Sequence, residues 1–131
     1  MRRSDQRRDA VFALYQHEVT GQALNELLDG ARPFTRELVE GVQSSREEID
    51  QRIAAHSHGW ELNRIAALEC SIMRVALFES AFRDDIPTEV SLDEAVGFAK
   101  RFCGEKAPGF VNGVLAAVVG ADRDRNGTDD Q

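Results

Sequence analysis

A chain of 131 residues with an ordinary apolar content has room for one domain, or for two small subdomains that share a core. No apolar run approaches the ~20 residues that span a bilayer, and no signal-type apolar region follows the charged N-terminus, so the expectation is a protein that works in the cytoplasm. The net charge of −7 is uneven: residues 2–8 hold four Arg against one Asp, the tail from Asp122 is −2, and the body between them is −8. Such a basic arm on an acidic body can approach a phosphate backbone that the rest of the chain repels.

Almost every segment reads as helix, and each of the three prolines, Pro33, Pro87 and Pro108, marks a break. The first helix is expected over 4–19, capped by Ser4, with Ala10, Val11, Leu14 and Tyr15 as its apolar stripe and Gly21 as its stop. Four arginines in or ahead of its first turn oppose the helix dipole, which favours anions there, and a bound phosphate would relieve the conflict. A short second helix carries Leu24, Leu27 and Leu28 and ends at Gly30. Pro33 opens a long third helix to about His58, with Gly41 inside it as a point of close helix approach. Its end, His56-Ser57-His58-Gly59, has the character of a helix stop.

Residues 60–65 read as a turn with a short helix, and 66–82 as the most apolar helix. Ser91 followed by Glu94 has the form of a capping box and places a helix start there, running to about Cys103 before Gly104. Pro108 begins the last helix, and the residues after Gly120 are expected to be a disordered tail. In that last helix Asn112 and Gly113 interrupt an apolar pattern, where Gly costs about 1 kcal/mol against Ala. Either Asn112 is buried against backbone and Gly113 lets a helix approach, or the pair is a polar handle at a surface that meets a partner. The organisation is all-α, with three helices in 1–59 and three or four in 60–120. Each half is too small for a good core alone, so the halves should pack together.

No constellation for catalysis is encoded. A phosphate-cradling Gly-rich loop is missing, as is the Glu-x-x-His spacing of bundle di-metal sites. Cys70 and Cys103 lack the short spacing of zinc ligands and read as core thiols. No cofactor is expected. Arg74, among apolar residues, suits an internal carboxylate partner.

Several ordered motifs carry a family likeness. They are Arg8-Asp9-Ala10-Val11-Phe12-Ala13-Leu14-Tyr15, Ile49-Asp50-Gln51-Arg52-Ile53 with Trp60, and Ile72-Met73-Arg74-Val75-Ala76-Leu77-Phe78-Glu79. Asp85-Ile86-Pro87 then leads into Asp93-Glu94-Ala95-Val96, and Ala99-Lys100 precedes Pro108-Gly109-Phe110-Val111-Asn112-Gly113-Val114-Leu115. From Arg7 to about Val119 the chain resembles the NusB family of bacterial transcription antitermination factors.

The resemblance implies two small helical subdomains packed at an angle and a non-enzymatic RNA-binding function. The RNA would be boxA-type single strand, notably in ribosomal RNA leaders. The partners would be a small-subunit ribosomal protein, NusE, and the RNA polymerase antitermination complex. Some members form homodimers that hide the RNA surface. Carried over by position, Arg2, Arg3, Arg7 and Arg8 would hold phosphates, Tyr15 would lie near a base, and the face near Lys100, Phe110 and Asn112 would also meet RNA. Glu79 falls at a position associated with the ribosomal-protein contact. Ala116 stands where some members carry Asp.

On the residues themselves, Tyr15 and Phe110 lie at apolar spacing, and packing into the core is open for both. The alternative function is a helical protein–protein adaptor without RNA contact, which the acidic body favours. NusB-like domains also precede the catalytic part of ribosomal RNA cytosine methyltransferases, for whose cofactor-binding α/β domain these 131 residues leave no room.

Overall fold

The structure is a computed structural model that describes residues 2–57 and 61–129, with side chains as far as 124. Trp60, the expected stop at His58-Gly59 and the division near Gly59 lie outside or at the edge of the described residues.

The described residues form seven α-helices and one 3-10 turn, without a strand. In chain order they are α1 (Arg3–Thr20), α2 (Leu24–Leu27), α3 (Pro33–Ser44), α4 (Arg46–Ala55), the 3-10 turn Leu62–Arg64, α5 (Ala67–Phe82), α6 (Thr88–Phe102) and α7 (Ala107–Asp129). The most apolar helix, α5, is the hub. Every residue from Cys70 to Glu79 is buried, because α1, α3, α4, α6 and α7 all pack on it. Ile72, Met73, Leu38, Ile53 and Leu115 are fully buried in one continuous core that includes both halves of the chain. Each such side chain gains about 1.5–3 kcal/mol on leaving water.

Glycine sets two features of this packing. Gly21 ends α1 in the left-handed region at φ 76°, and its N–H donates to the His17 carbonyl. Gly41 on α3 faces Phe78 on α5 so closely that a Cβ would overlap the tip of the ring. This is the helix approach expected from the sequence.

Four expectations are corrected. The single helix from Pro33 is two, because Ser45 leaves helical geometry at φ −110°, ψ 14°. The apolar spacing through Val42, Ile49 and Ile53 continues across that break, so the pattern does not reveal it. Ser4 does not cap α1, whose N-cap is Arg2; the Ser4 hydroxyl instead donates to Glu94 at 2.9 Å. Ser91 and Glu94 are not a capping box, since α6 begins at Thr88 behind Pro87 and both residues serve contacts with other helices. Finally, α7 does not stop at Gly120. It runs to Asp129, and ion pairs from Arg52 to Asp122 (3.2 Å) and from Arg123 to Glu89 (2.8 Å) tie its extension to α4 and α6.

Candidate nucleic-acid interface

The arginine-rich start of α1 lies beside α6. Ser4 meets Glu94, and the Phe12 ring meets the Phe102 ring edge-on at 5.1 Å. Both pairs increase along the two helices, so α1 and α6 run in the same direction, and Arg8 lies level with the stretch that leads to Lys100.

The four arginines of this segment have different fates. Arg7 is buried, at 5% exposure. Its Nε donates to Glu79 Oε1 at 2.5 Å, and its Nη1 reaches Glu94 Oε1 at 3.5 Å. Ser91 donates to the other Glu79 oxygen at 2.6 Å, which completes that carboxylate's shell. A buried ion pair survives when such further hydrogen bonds satisfy its remaining atoms. Arg7 is therefore a structural cross-link among α1, α5 and α6, and the expectation that it holds a phosphate is corrected.

Glu79 is corrected with it. It has 0% exposure, so the expected direct partner contact is closed by the helices around it. The conflict between arginines and the helix dipole is relieved internally, by the carboxylates of Asp5, Glu79, Asp85 and Glu94.

Arg3 remains exposed and makes a 3.5 Å pair with Asp85. Its guanidinium sits 5.2 Å from the Phe34 ring, which Arg7 and Arg83 also face, at 5.5 and 5.3 Å. Arg83 holds Asp85 with two 2.9 Å bonds, and that hydrogen bonding lowers the Asp85 carboxyl to about 2. Arg2 is exposed, and half-buried Arg8 meets Asp5 and Asp9 at 3.7 and 3.5 Å. Arg2, Arg3 and Arg8 thus keep guanidinium surface in water.

The other expected residues lie further along. Tyr15 is half-buried on α1, and Lys100 is exposed on α6. Phe110 is half-buried, with one side against the core and another lining a surface cleft. Asn112 and Gly113 are both exposed, with open space beside Gly113. Of the two readings of that pair, burial against backbone is excluded. Arg74 finds the internal carboxylate that its setting called for, donating to both oxygens of Asp50 at 2.8 and 3.1 Å.

Residues 4–120 match the model of the NusB family. The chain belongs to the NusB family. It is 42% identical to the transcription antitermination protein NusB of Myxococcus xanthus, with 86% of this chain and 91% of that protein covered. With the protein of the same name from Bacillus subtilis it shares 40% identity, over 90% of this chain and 95% of the relative. Among solved structures, NusB of T. maritima superposes with a TM-score of 0.83 at 30% identity, over 90% of each chain. A structure of the antitermination factors NusB and NusE in complex with dsRNA matches with a TM-score of 0.82 at 27% identity, covering 91% of this chain and 96% of that one. The all-helical architecture read from the sequence is the NusB fold.

Sequence reasoning missed the cations around the α6–α7 connection. Arg64 and Lys106 line the cleft beside Phe110, yet they are far apart in the chain and belong to no motif. Only the packing of the 3-10 turn beside the start of α7 brings them together.

Proposed function

We propose that this protein is a transcription antitermination factor that binds boxA-type RNA together with the ribosomal protein NusE and so modifies RNA polymerase, notably on ribosomal RNA operons. It acts in the cytoplasm and without catalysis: it holds RNA and protein together. The observation that carries this reading is the likeness, along nearly the whole chain, to a NusB solved with NusE and RNA. The charge distribution supports it. Exposed Arg2 and Arg3 and half-buried Arg8 present guanidinium groups at one edge of an acidic body. Lys100 and Asn112 add a cation and an amide on exposed faces of α6 and α7.

In this mechanism Arg2, Arg3 and Arg8 neutralise phosphates and release counterions. Tyr15 and Phe110 offer ring faces for bases, and Asn112 offers a donor and an acceptor to a base edge. Arg7 and Glu79 act indirectly, fixing the root of α1 against α5 and α6 so that the arm leaves the body at one place. The Arg3–Asp85 pair yields to a phosphate at little cost, because both side chains are exposed and water screens their attraction.

The test is titration of boxA-type RNA and a scrambled RNA, with and without NusE, at two salt concentrations. Tighter, salt-dependent binding of the boxA sequence, strengthened by NusE, is expected. Equal affinity for both RNAs, with and without NusE, would overturn the reading and favour an adaptor that contacts protein only.

A further inference from the structure

Six cations have no carboxylate within ion-pair distance among the described residues: Arg2, Arg32, Arg64, Lys100, Arg101 and Lys106. Lys100, Arg101 and Lys106 lie on the C-terminal part of α6 or on the connection that follows it, and Arg64, from the 3-10 turn before α5, lines the same cleft as Lys106. Unmatched positive charge is therefore concentrated there, in a protein whose net charge is −7. Between Arg64 and Lys106 the surface sinks into a cleft of about 360 Å³, with Ile65, Ala107 and Phe110 as apolar walls and Glu69 beside them. That volume is in the range of small-ligand sites. Burial pushes the Glu69 carboxyl up, and it pairs with neither cation.

We propose that this cleft takes one unpaired nucleotide of the bound RNA, its base against the open side of Phe110 and its flanking phosphates on Arg64 and Lys106. The inference rests on the RNA-binding reading above, which already gives Phe110 a ring face for bases, and adds Arg64, Lys106 and Glu69 as the groups that make a nucleotide site around it. Three features of the cleft match the three parts of a nucleotide. A ring face flanked by aliphatic walls accepts a base. Two cations with no carboxylate partner among the described residues stand at the rim, where phosphates would lie. Glu69 is an acceptor for the amino or ring N–H edge of the base. A free anion would use the cations but not Phe110, and an apolar peptide would leave both cations unmatched; a nucleotide uses every group. The arm is rooted at Glu94 on α6 and the cleft lies past the end of that helix at Phe102, which is about 12 Å further along at 1.5 Å per residue. A single strand that crosses α6 would therefore meet both.

The experiment measures affinity for a boxA-type RNA, with NusE present, across a salt series. The proteins are the intact chain, Arg64→Gln/Lys106→Gln, Phe110→Leu and, as a charge control away from the cleft, Arg32→Gln. Loss of two phosphate contacts makes the slope of log affinity against log salt shallower by about 1.4 and lowers affinity about tenfold at ~0.1 M salt. Phe110→Leu keeps an apolar side chain against the core, and it is expected to weaken binding about fivefold or more with the slope unchanged. Arg32→Gln leaves both quantities near those of the intact protein. Circular dichroism melts confirm that each variant is folded. If the intact chain prefers boxA RNA while the double variant and Phe110→Leu bind as it does, the cleft is overturned and the RNA-binding reading stands. If the intact chain shows no preference, both fall.

Discussion

Arg7 and Arg64 are the same residue type in two opposite settings. At the root of α1 every cation that approaches the body finds a carboxylate: Arg7 meets Glu79 and Glu94, Arg3 meets Asp85, and Arg83 meets Asp85 and Glu37. At the far end of α6, Arg64, Lys100, Arg101 and Lys106 find none among the described residues. The charge available to an outside phosphate is what remains after internal pairing. By that measure the arginine-rich segment offers less than its composition suggests, and the α6–α7 end offers more.

The largest expected effect comes from breaking the root. Removing one partner of a buried, hydrogen-bonded ion pair leaves the other charge stranded, so Arg7→Ala or Glu79→Ala should each lower stability by about 3–5 kcal/mol in urea unfolding. Replacing both residues with apolar ones of similar volume should cost much less. A single variant that loses under 1 kcal/mol would show that the root is not a closed ionic core.

Packing beside the root gives the next effect. Gly41→Ala drives a methyl group into the Phe78 ring, and the repacking should cost about 1–3 kcal/mol by the same assay. The open end should respond in the opposite direction. Gly113 on α7 has free space where a Cβ would stand, so Gly113→Ala should raise stability by roughly 0.5–1 kcal/mol. If binding of RNA or partner weakens in the same variant, the glycine serves close approach from outside.

The smallest effect is electrostatic and exposed. Arg83 holds the Asp85 carboxyl down at about 2, so its contribution to stability is present above the ordinary carboxyl range near 4 and is lost as pH falls from there towards 2. The melting-temperature gap between the intact chain and Asp85→Asn should close over that window. A gap unchanged at pH 2 would contradict the pairing.

The sequence disclosed the fold well, because the apolar stripes, the glycine stops at Gly21, Gly30 and Gly104, and the breaks at the three prolines are local signals. Arg74 was legible too, since a lone guanidinium on an apolar helix needs an internal carboxylate, and Asp50 supplies it. The break at Ser45 was hidden because the apolar spacing runs through it. Ser91 and Glu94 misled because a capping box is a four-residue pattern, whereas their partners Glu79, Ser4 and Arg7 come from other helices. The same limit explains Arg7 and Arg8. They are adjacent in the chain, and only the packing of α5 and α6 decides that one is an internal cross-link and the other reaches the surface. The cleft of Arg64, Lys106 and Phe110 was invisible for the same reason, being made by three segments at once.

The most direct measurement is the salt dependence of boxA RNA binding, with NusE present, for the intact chain and for Arg2→Gln/Arg3→Gln/Arg8→Gln. Loss of three phosphate contacts should lower affinity at least tenfold and make the slope of log affinity against log salt shallower by about 2, with the melting temperature held to within a few degrees. An affinity and a slope equal to those of the intact chain would contradict the assignment of phosphate binding to these three arginines.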